Sequence, residues 1–497
     1  MNEIKPKRWF LGKRLSTENL EGQLLPKAIA LPIFSSDALS SVAYGPQELL
    51  MILTLGGVSL IPFASGIGTM VVLLMAVILL SYRRVIAAYP SGGGDYEVAM
   101  KNLGKKPALV VASALLLDYV MTVAVSIASG TDNLISAFPQ LDPFRVEIAV
   151  GFILLLTVMN LRGVRESGFS FAIPTYLFIV TVFIMLGVGF YRLLTGDMLV
   201  APSAGYEVVI HDSVVGTSQV AMTLLLLRAF ASGSSALTGV EAIANGVQAF
   251  RKPKIKNAQI TMMLMGGTAI AMLIGIITLA LASNVHYAEF PCEQLPGWKE
   301  CATSPQMSVI AQIGTAVFGG GSVLFFILQI ATAAILLLAA NTAFNGFPLL
   351  TSVLAKDKFA PKALMTRGDR LVYSNGMLSL MLAALVMIVG FQASVTALIQ
   401  LYVLGVFTSF TVGQIGMIRH WRRMLKVRKQ DSEETQGRKR REAVSGLVIN
   451  AIGAAMTGSV LIIVTLTKFT HGAWMVFIHH AVALRGDVLH PSLLRAN

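Results

Sequence analysis

Phe34-Ser35-Ser36-Asp37-Ala38-Leu39-Ser40-Ser41-Val42-Ala43-Tyr44-Gly45-Pro46 lies inside an apolar run that covers about residues 28–53. A helix of that length crosses the roughly 30 Å of hydrocarbon in a bilayer. The serines, the carboxylate and the Gly-Pro pair at its centre read as a helix broken near the midplane. A second run, 219–250, is interrupted in the same way by Ser232-Gly233-Ser234-Ser235-Ala236-Leu237-Thr238-Gly239-Val240-Glu241. In register, Ala38-Leu39-Ser40-Ser41-Val42 aligns with Ala236-Leu237-Thr238-Gly239-Val240. The two runs are the first and sixth, so the second copy enters the membrane from the opposite side. That is the signature of an inverted repeat with discontinuous helices meeting near the midplane. A break in lipid frees backbone carbonyls, which is tolerable only where they face protein or a watery cavity, and such carbonyls ligate cations. Close helix packing through small residues accounts equally well for the hydroxyls and glycines alone. The carboxylate beside each break tilts the reading toward an ion site.

The rest of the chain agrees with a lipid solvent. Of 497 residues, 55% are hydrophobic and 13% charged, against about 25% charged in soluble proteins, and the mean hydropathy is +0.70. With 2 Cys, 18 Pro and no short repeat, disordered, collagen-like and disulfide-framework classes are excluded. Apolar runs near 28–53, 61–81, 107–136, 145–161, 168–191, 219–250, 257–283, 309–352, 373–391, 394–418 and 445–467 predict eleven spans, and a shorter run at 473–484 predicts a twelfth. The first run is too long for a signal peptide, contains a carboxylate and has no cleavage site. The chain therefore divides into a cytoplasmic tail (1–27), a first five-helix repeat (28–191), a second (192–418), a basic cytoplasmic loop (419–444) and an eleventh helix with a shortened twelfth-helix region (445–497).

The net charge of +13 invites a nucleic-acid reading, but the positions of the bases decide otherwise. With the N-terminus in the cytoplasm, 34 of the 39 Lys and Arg residues fall in the tails and loops on that side. Only Arg145, Arg192, Lys299 and Lys468 lie opposite, and Arg228 lies within a span. This bias sets the orientation in a cytoplasmic membrane, with anionic lipid as a second contact for the run Arg419–Arg441. Cys292 and Cys301 fall in the outer loop 284–308, where a disulfide between them and two free thiols stand as even alternatives. Metal ligation there would need more ligands than His286 adds.

Asp37, Asp118 and Glu241 lie within apolar spans, where an ionised group costs at least about 2.5–3.5 kcal/mol. Arg228 is the one obvious intramembrane counter-charge and cannot neutralise three acids. Some of them must be protonated, or a transported cation must supply the charge. Asp118, Thr122 and Ser126 are spaced i, i+4, i+8 and line one helical face. That row of oxygens, with no lysine among them, suits an alkali cation, although the hydroxyls could instead bond back to their own helix. Tyr44, two turns beyond Asp37, offers a phenolic oxygen, a gate or plain packing. Pro90-Ser91-Gly92-Gly93-Gly94-Asp95-Tyr96-Glu97 lacks the spacing and the α/β context of a phosphate loop, so it reads as an inner turn or gate and nucleotide hydrolysis is rejected.

The stretch Ser35–Pro46, together with Ala236-Leu237-Thr238-Gly239-Val240-Glu241-Ala242, resembles the KimA-type potassium importers. These form a branch of the amino acid–polyamine–organocation superfamily related to the Kup potassium transporters. The glycine turn resembles the superfamily's turn between its second and third helices, and the resemblance covers about residues 5–475. It implies an all-α, LeuT-like 5+5 inverted repeat with discontinuous helices 1 and 6, importing K⁺ with H⁺ as a homodimer, with no resident cofactor and no enzymatic activity. Carried over by position, the potassium site falls on Asp37, Tyr44, Asp118, Thr122, Ser126 and Thr238, and proton coupling falls on Glu241. The family's cytoplasmic domain for a cyclic dinucleotide has no counterpart after Arg485, so a truncation is expected, with a frameshift after about Phe477 as one origin. Dinucleotide regulation and the dimer are put in question by it. The competing functions are an amino-acid or polyamine permease of the same superfamily and a transport-inactive sensor or scaffold. Asp37 stands where such a permease offers glycine amides to a substrate carboxylate, which favours a bare cation as cargo.

Overall fold

A computed structural model describes residues 24–162, 168–211, 219–366, 372–426 and 433–468. All the long elements are helices: α1 (Lys27–Leu55), α2 (Ala64–Ala88), α3 (Lys105–Ala137), α4 (Arg145–Leu161), α5 (Gly168–Leu194), α6 (Gln219–Gly233), α7 (Lys254–Ala282), α8 (Val323–Lys356), α9 (Ser374–Gly390), α10 (Val395–Lys426) and α11 (Glu433–Lys468). Among the described residues, nine helical segments are long and apolar enough to cross a membrane, and Ser374–Gly390 is a shorter apolar helix. α1 is long enough but more polar, because it is buried in protein rather than lipid: Ser35 through Leu55 are buried without exception. The run 473–484 lies outside the described residues.

α1 sits at the centre, packed against α6, α7 and α8, while α3 packs between α8 and α10, and α11 lies along α10. The lipid-facing side chains are those left exposed on the outer helices, among them Leu155, Val180, Leu382 and Leu466. Lipid is as apolar as these residues, so close approach and polar bonds between helices hold the bundle together instead. An example is Asn450 of α11, which donates to Ser81 Oγ at 2.6 Å and accepts from Trp421 Nε1 at 2.8 Å. These eleven helices, with α1 crossing the interrupted sixth segment at the core, make up the LeuT-like architecture.

Two expectations about helix continuity need correcting. The first segment is helical throughout, with no break at Ser35–Ser41. Two of its four serines bond back to the helix: Ser40 Oγ donates to Asp37 O at 2.9 Å, and Ser41 Oγ lies 2.8 Å from Ala38 O, while Ser35 Oγ and Ser36 Oγ have no hydrogen-bond partner. Of the two segments expected to break, the sixth alone opens. Secondly, the run 309–352 is two helices, Val309–Phe318 and α8, because Gly319-Gly320-Gly321 leaves the helical region, with φ of +85° at Gly319 and +81° at Gly321. The Ser322 hydroxyl then caps α8 by accepting from Phe325 N.

One end of the bundle carries the start of α1, the turn Tyr89–Gly93, the short helix Gly94–Asn102 and a bridge between Leu25 and Phe250. Among the described residues this end also holds most of the Lys and Arg, and it is called the basic end. The other end carries the loop closed by a disulfide between Cys292 and Cys301.

Candidate functional site

The site forms where α1 crosses the opened sixth segment. α6 stops at Gly233, a 3₁₀ turn covers Ser234–Leu237, Thr238 is extended, and one helical turn resumes at Ala242–Asn245. Two glycines permit the approach. A Cβ on Gly45 would lie 2.6 Å from Ala236 Cβ, so only a bare backbone lets α1 touch the 3₁₀ turn. Gly239 has φ +77°, and a Cβ there would lie 2.7 Å from the Asp37 carboxyl group. Ser41 Oγ completes the crossing by lying 2.9 Å from Ala236 O.

Side chains from four segments meet there. Tyr44 Oη and Thr238 Oγ1 are 3.0 Å apart. On α3, Thr122 Oγ1 lies 3.0 Å from Tyr402 Oη of α10. Asp118 is within electrostatic reach of Glu241 and Asp37, and Tyr402 is within reach of Asp37, Tyr44 and Asp118. Ser126 is buried one turn beyond Thr122, and no bond ties it to the others. The structure thus gathers Asp37, Tyr44, Asp118, Thr122, Thr238 and Glu241, and places Ser126 at their edge.

All three carboxylates are buried, with relative exposures of 6% for Asp37, 2% for Asp118 and 5% for Glu241. Asp37 Oδ1, Asp118 Oδ1, Glu241 Oε2 and Ser126 Oγ have no hydrogen-bond partner. Each unmet buried polar atom costs about 1–3 kcal/mol, and more when charged. None of the ion pairs among the described residues involves these carboxylates. Arg228, the expected counter-charge, instead pairs with Glu289 at 3.8 Å. The three acids do not converge as a compact three-ligand metal cluster among the described residues. They form a looser path of oxygens, completed by hydroxyls.

A cavity of about 480 Å³ opens at the basic end and has Asp37 and Glu241 in its lining, with Phe34, Gly93, Tyr96 and Asn245 around it. A second cavity, of about 550 Å³ at the disulfide end, is lined by Asp132, Arg145, Glu289, Thr396 and Gln400, and by none of the site residues. The site is therefore reached from the basic end.

Sequence reasoning missed Tyr402, an aromatic residue in an apolar run that reads as packing. It also passed over Asp95, which is 4% exposed beside the glycine turn and accepts from Tyr82 Oη at 2.7 Å and Ser409 Oγ at 3.0 Å. Burial lifts the Asp95 carboxyl from 3.8 to about 7, against the downward pull of those two hydroxyls. Toward the disulfide end lie a further buried acid, Glu48, and a partly buried one, Asp132; Thr396 Oγ1 donates to Glu48 at 3.2 Å, and Asp132 pairs with Arg145. Their positions inside runs 28–53 and 107–136 were the available signal.

The family model described as "Amino acid permease" matches residues 31–483. The potassium transporter KimA of Bacillus subtilis (strain 168) is 39% identical over 473 residues, covering 95% of this chain and 71% of that protein. The low-affinity putrescine importer PlaP of Escherichia coli (strain K12) is 24% identical over 118 residues, covering 24% of this chain and 26% of that protein. A bundle built around an oxygen-lined site, a family match over nearly the whole chain and this extensive similarity to a transporter agree: the chain belongs to the amino acid permease family of membrane transporters and is not an enzyme.

Proposed function

We propose that this transporter imports K⁺ together with H⁺ across the cytoplasmic membrane. The observation that carries the reading is the set of buried, unpartnered oxygens on Asp37, Asp118, Ser126 and Glu241, with no basic side chain paired to the acids. A desolvated carboxylate is stabilised by a cation or by a proton, and a symporter for both supplies each in turn. Asp37, Tyr44, Asp118, Thr122, Ser126 and Thr238 hold the potassium ion, and Tyr402 orients Thr122 through its hydroxyl. Hard oxygen donors suit an alkali cation, and the extended Thr238 offers a carbonyl at the break in segment six. The similarity to the potassium transporter KimA supports the same cargo.

Glu241 carries the proton. It lies in the lining of the cavity that opens at the basic end, so its proton can pass to water there without crossing the potassium ligands. The excess of Lys and Arg at that end orients it to the cytoplasm, which makes this an inward-facing arrangement with the disulfide outside.

A second reading, import of an organic amine, is favoured by the partial similarity to a putrescine importer and by the ability of Asp37 to receive an ammonium group. One experiment separates the two: rubidium uptake by a host lacking its own potassium transport, expressing the wild-type chain or Asp118→Asn. Uptake by the wild type that falls at least tenfold in the variant, a loss of about 1.4 kcal/mol, supports the potassium site. Equal uptake by both removes Asp118 from it.

A further inference from the structure

The cavity at the basic end does not match its proposed cargo in size or chemistry. At about 480 Å³ it falls within the roughly 300–1,000 Å³ of small-molecule sites, whereas a potassium ion needs only a handful of oxygens. Its walls are mostly hydrocarbon: Leu115, Phe171, Leu349 and Val353 contribute, as do the rings of Tyr96 and Tyr119. Its unpaired acidic groups are Asp37 and Glu241. Lys101, also in the lining, is paired with Glu97, so the unpaired ionisable side chains of the lining are both acids. An acidic patch within apolar walls complements a cation whose own charge is wrapped in alkyl groups. Such an ion keeps its hydrocarbon in contact with the walls, presents no hydrogen-bond donor that must be satisfied, and gains from any aromatic face it meets.

We propose that this cavity is a binding site for tetraalkylammonium ions of about tetrabutyl size, entering from the basic end, and that their occupancy blocks transport. The block rests on the transport reading above, while the binding does not. A bulky ion there lies between Phe34 on α1, Asn245 after the break, and Leu349 on α8, so those elements cannot close over the site while it is bound. It also excludes the cargo from Asp37 and Glu241.

Binding is measured first, on the purified full-length chain, by titration calorimetry with tetrabutylammonium and tetramethylammonium chloride. Tetrabutylammonium is expected to bind at least about tenfold more tightly, because only the larger ion covers the apolar walls. Phe171→Ala and Leu349→Asn should each weaken it about three- to tenfold; Leu349 is 57% exposed, so its variant tests the site even if the phenylalanine variant fails to fold. Equal affinity for the two ions, or unchanged tetrabutylammonium affinity in Leu349→Asn, overturns the assignment. Rubidium uptake into proteoliposomes is measured second. Inhibition by tetrabutylammonium applied to the basic face, relieved in Leu349→Asn, supports the block. Full uptake with the ion bound overturns the block. Size-selective binding in a chain that takes up no rubidium upholds the site and refutes the transport reading instead.

Discussion

Replacing Gly239 with alanine perturbs the site through one added methyl group. The backbone there has φ +77°, and a left-handed conformation costs an L-residue about 1–2 kcal/mol. The new Cβ would also lie 2.7 Å from Cβ, Cγ and Oδ2 of Asp37. Asp37 sits on a continuous, fully packed helix, so the carboxylate must swing away or the turn must retreat. Either movement separates Asp37 from Thr238 and Tyr44. If the displaced group costs the ion a single good contact, about 1.4 kcal/mol, the KM for rubidium rises about tenfold. Gly196→Ala is the matched control: its φ is +86°, with nothing within 4 Å of an added Cβ. It should show similar backbone strain as a lowered melting temperature, with KM unchanged. The assay is rubidium uptake into proteoliposomes, alongside thermal melting of both variants. A folded Gly239→Ala protein with wild-type KM would refute the placement of Asp37 in the ion site.

Two further outcomes follow from the remaining acids. Glu241→Gln should leave rubidium movement measurable while abolishing potassium-driven acidification of the vesicle lumen; undiminished acidification would take proton coupling away from Glu241. For Asp95, the folded carboxyl holds its proton to about pH 7 and the unfolded one releases it near 3.8. The native state thus binds the extra proton between those values, and stability falls as pH rises through that window, by up to about 4 kcal/mol. Asp95→Asn keeps an acceptor for Tyr82 and Ser409, so it should flatten the dependence of melting temperature on pH from 4 to 7; an unchanged slope would show that Asp95 does not titrate there.

The parts of this site that were legible in the sequence were those that stand out against their surroundings. Asp37, Asp118 and Glu241 are costly in lipid, and the hydroxyls at Thr122, Ser126 and Thr238 sit near them at helical spacing or at matching places in the two repeats. Tyr402 was not legible, because an aromatic side chain in an apolar helix is ordinarily packing, and only the 3.0 Å approach to Thr122 gives it another role. Asp95 was hidden for the opposite reason: a polar turn makes an acid look solvated, and its burial against α2 and α10 is a tertiary fact. The helix breaks were half legible. Serines and glycines mark both segments alike, but α1 stays helical, with Ser40 and Ser41 bonded back to its own carbonyls, whereas Gly239 actually takes a left-handed φ. Arg228 was legible as an intramembrane base but its partner was not, because Glu289 lies in a distant loop that only the fold brings near.

The most direct measurement of the central claim uses the purified chain in proteoliposomes with a lumenal pH probe, an inward potassium gradient and, separately, an inward putrescine gradient. The expected result is saturable rubidium uptake, with potassium entry acidifying the lumen and with no response to putrescine. Saturable putrescine uptake without rubidium uptake or potassium-driven acidification would contradict it.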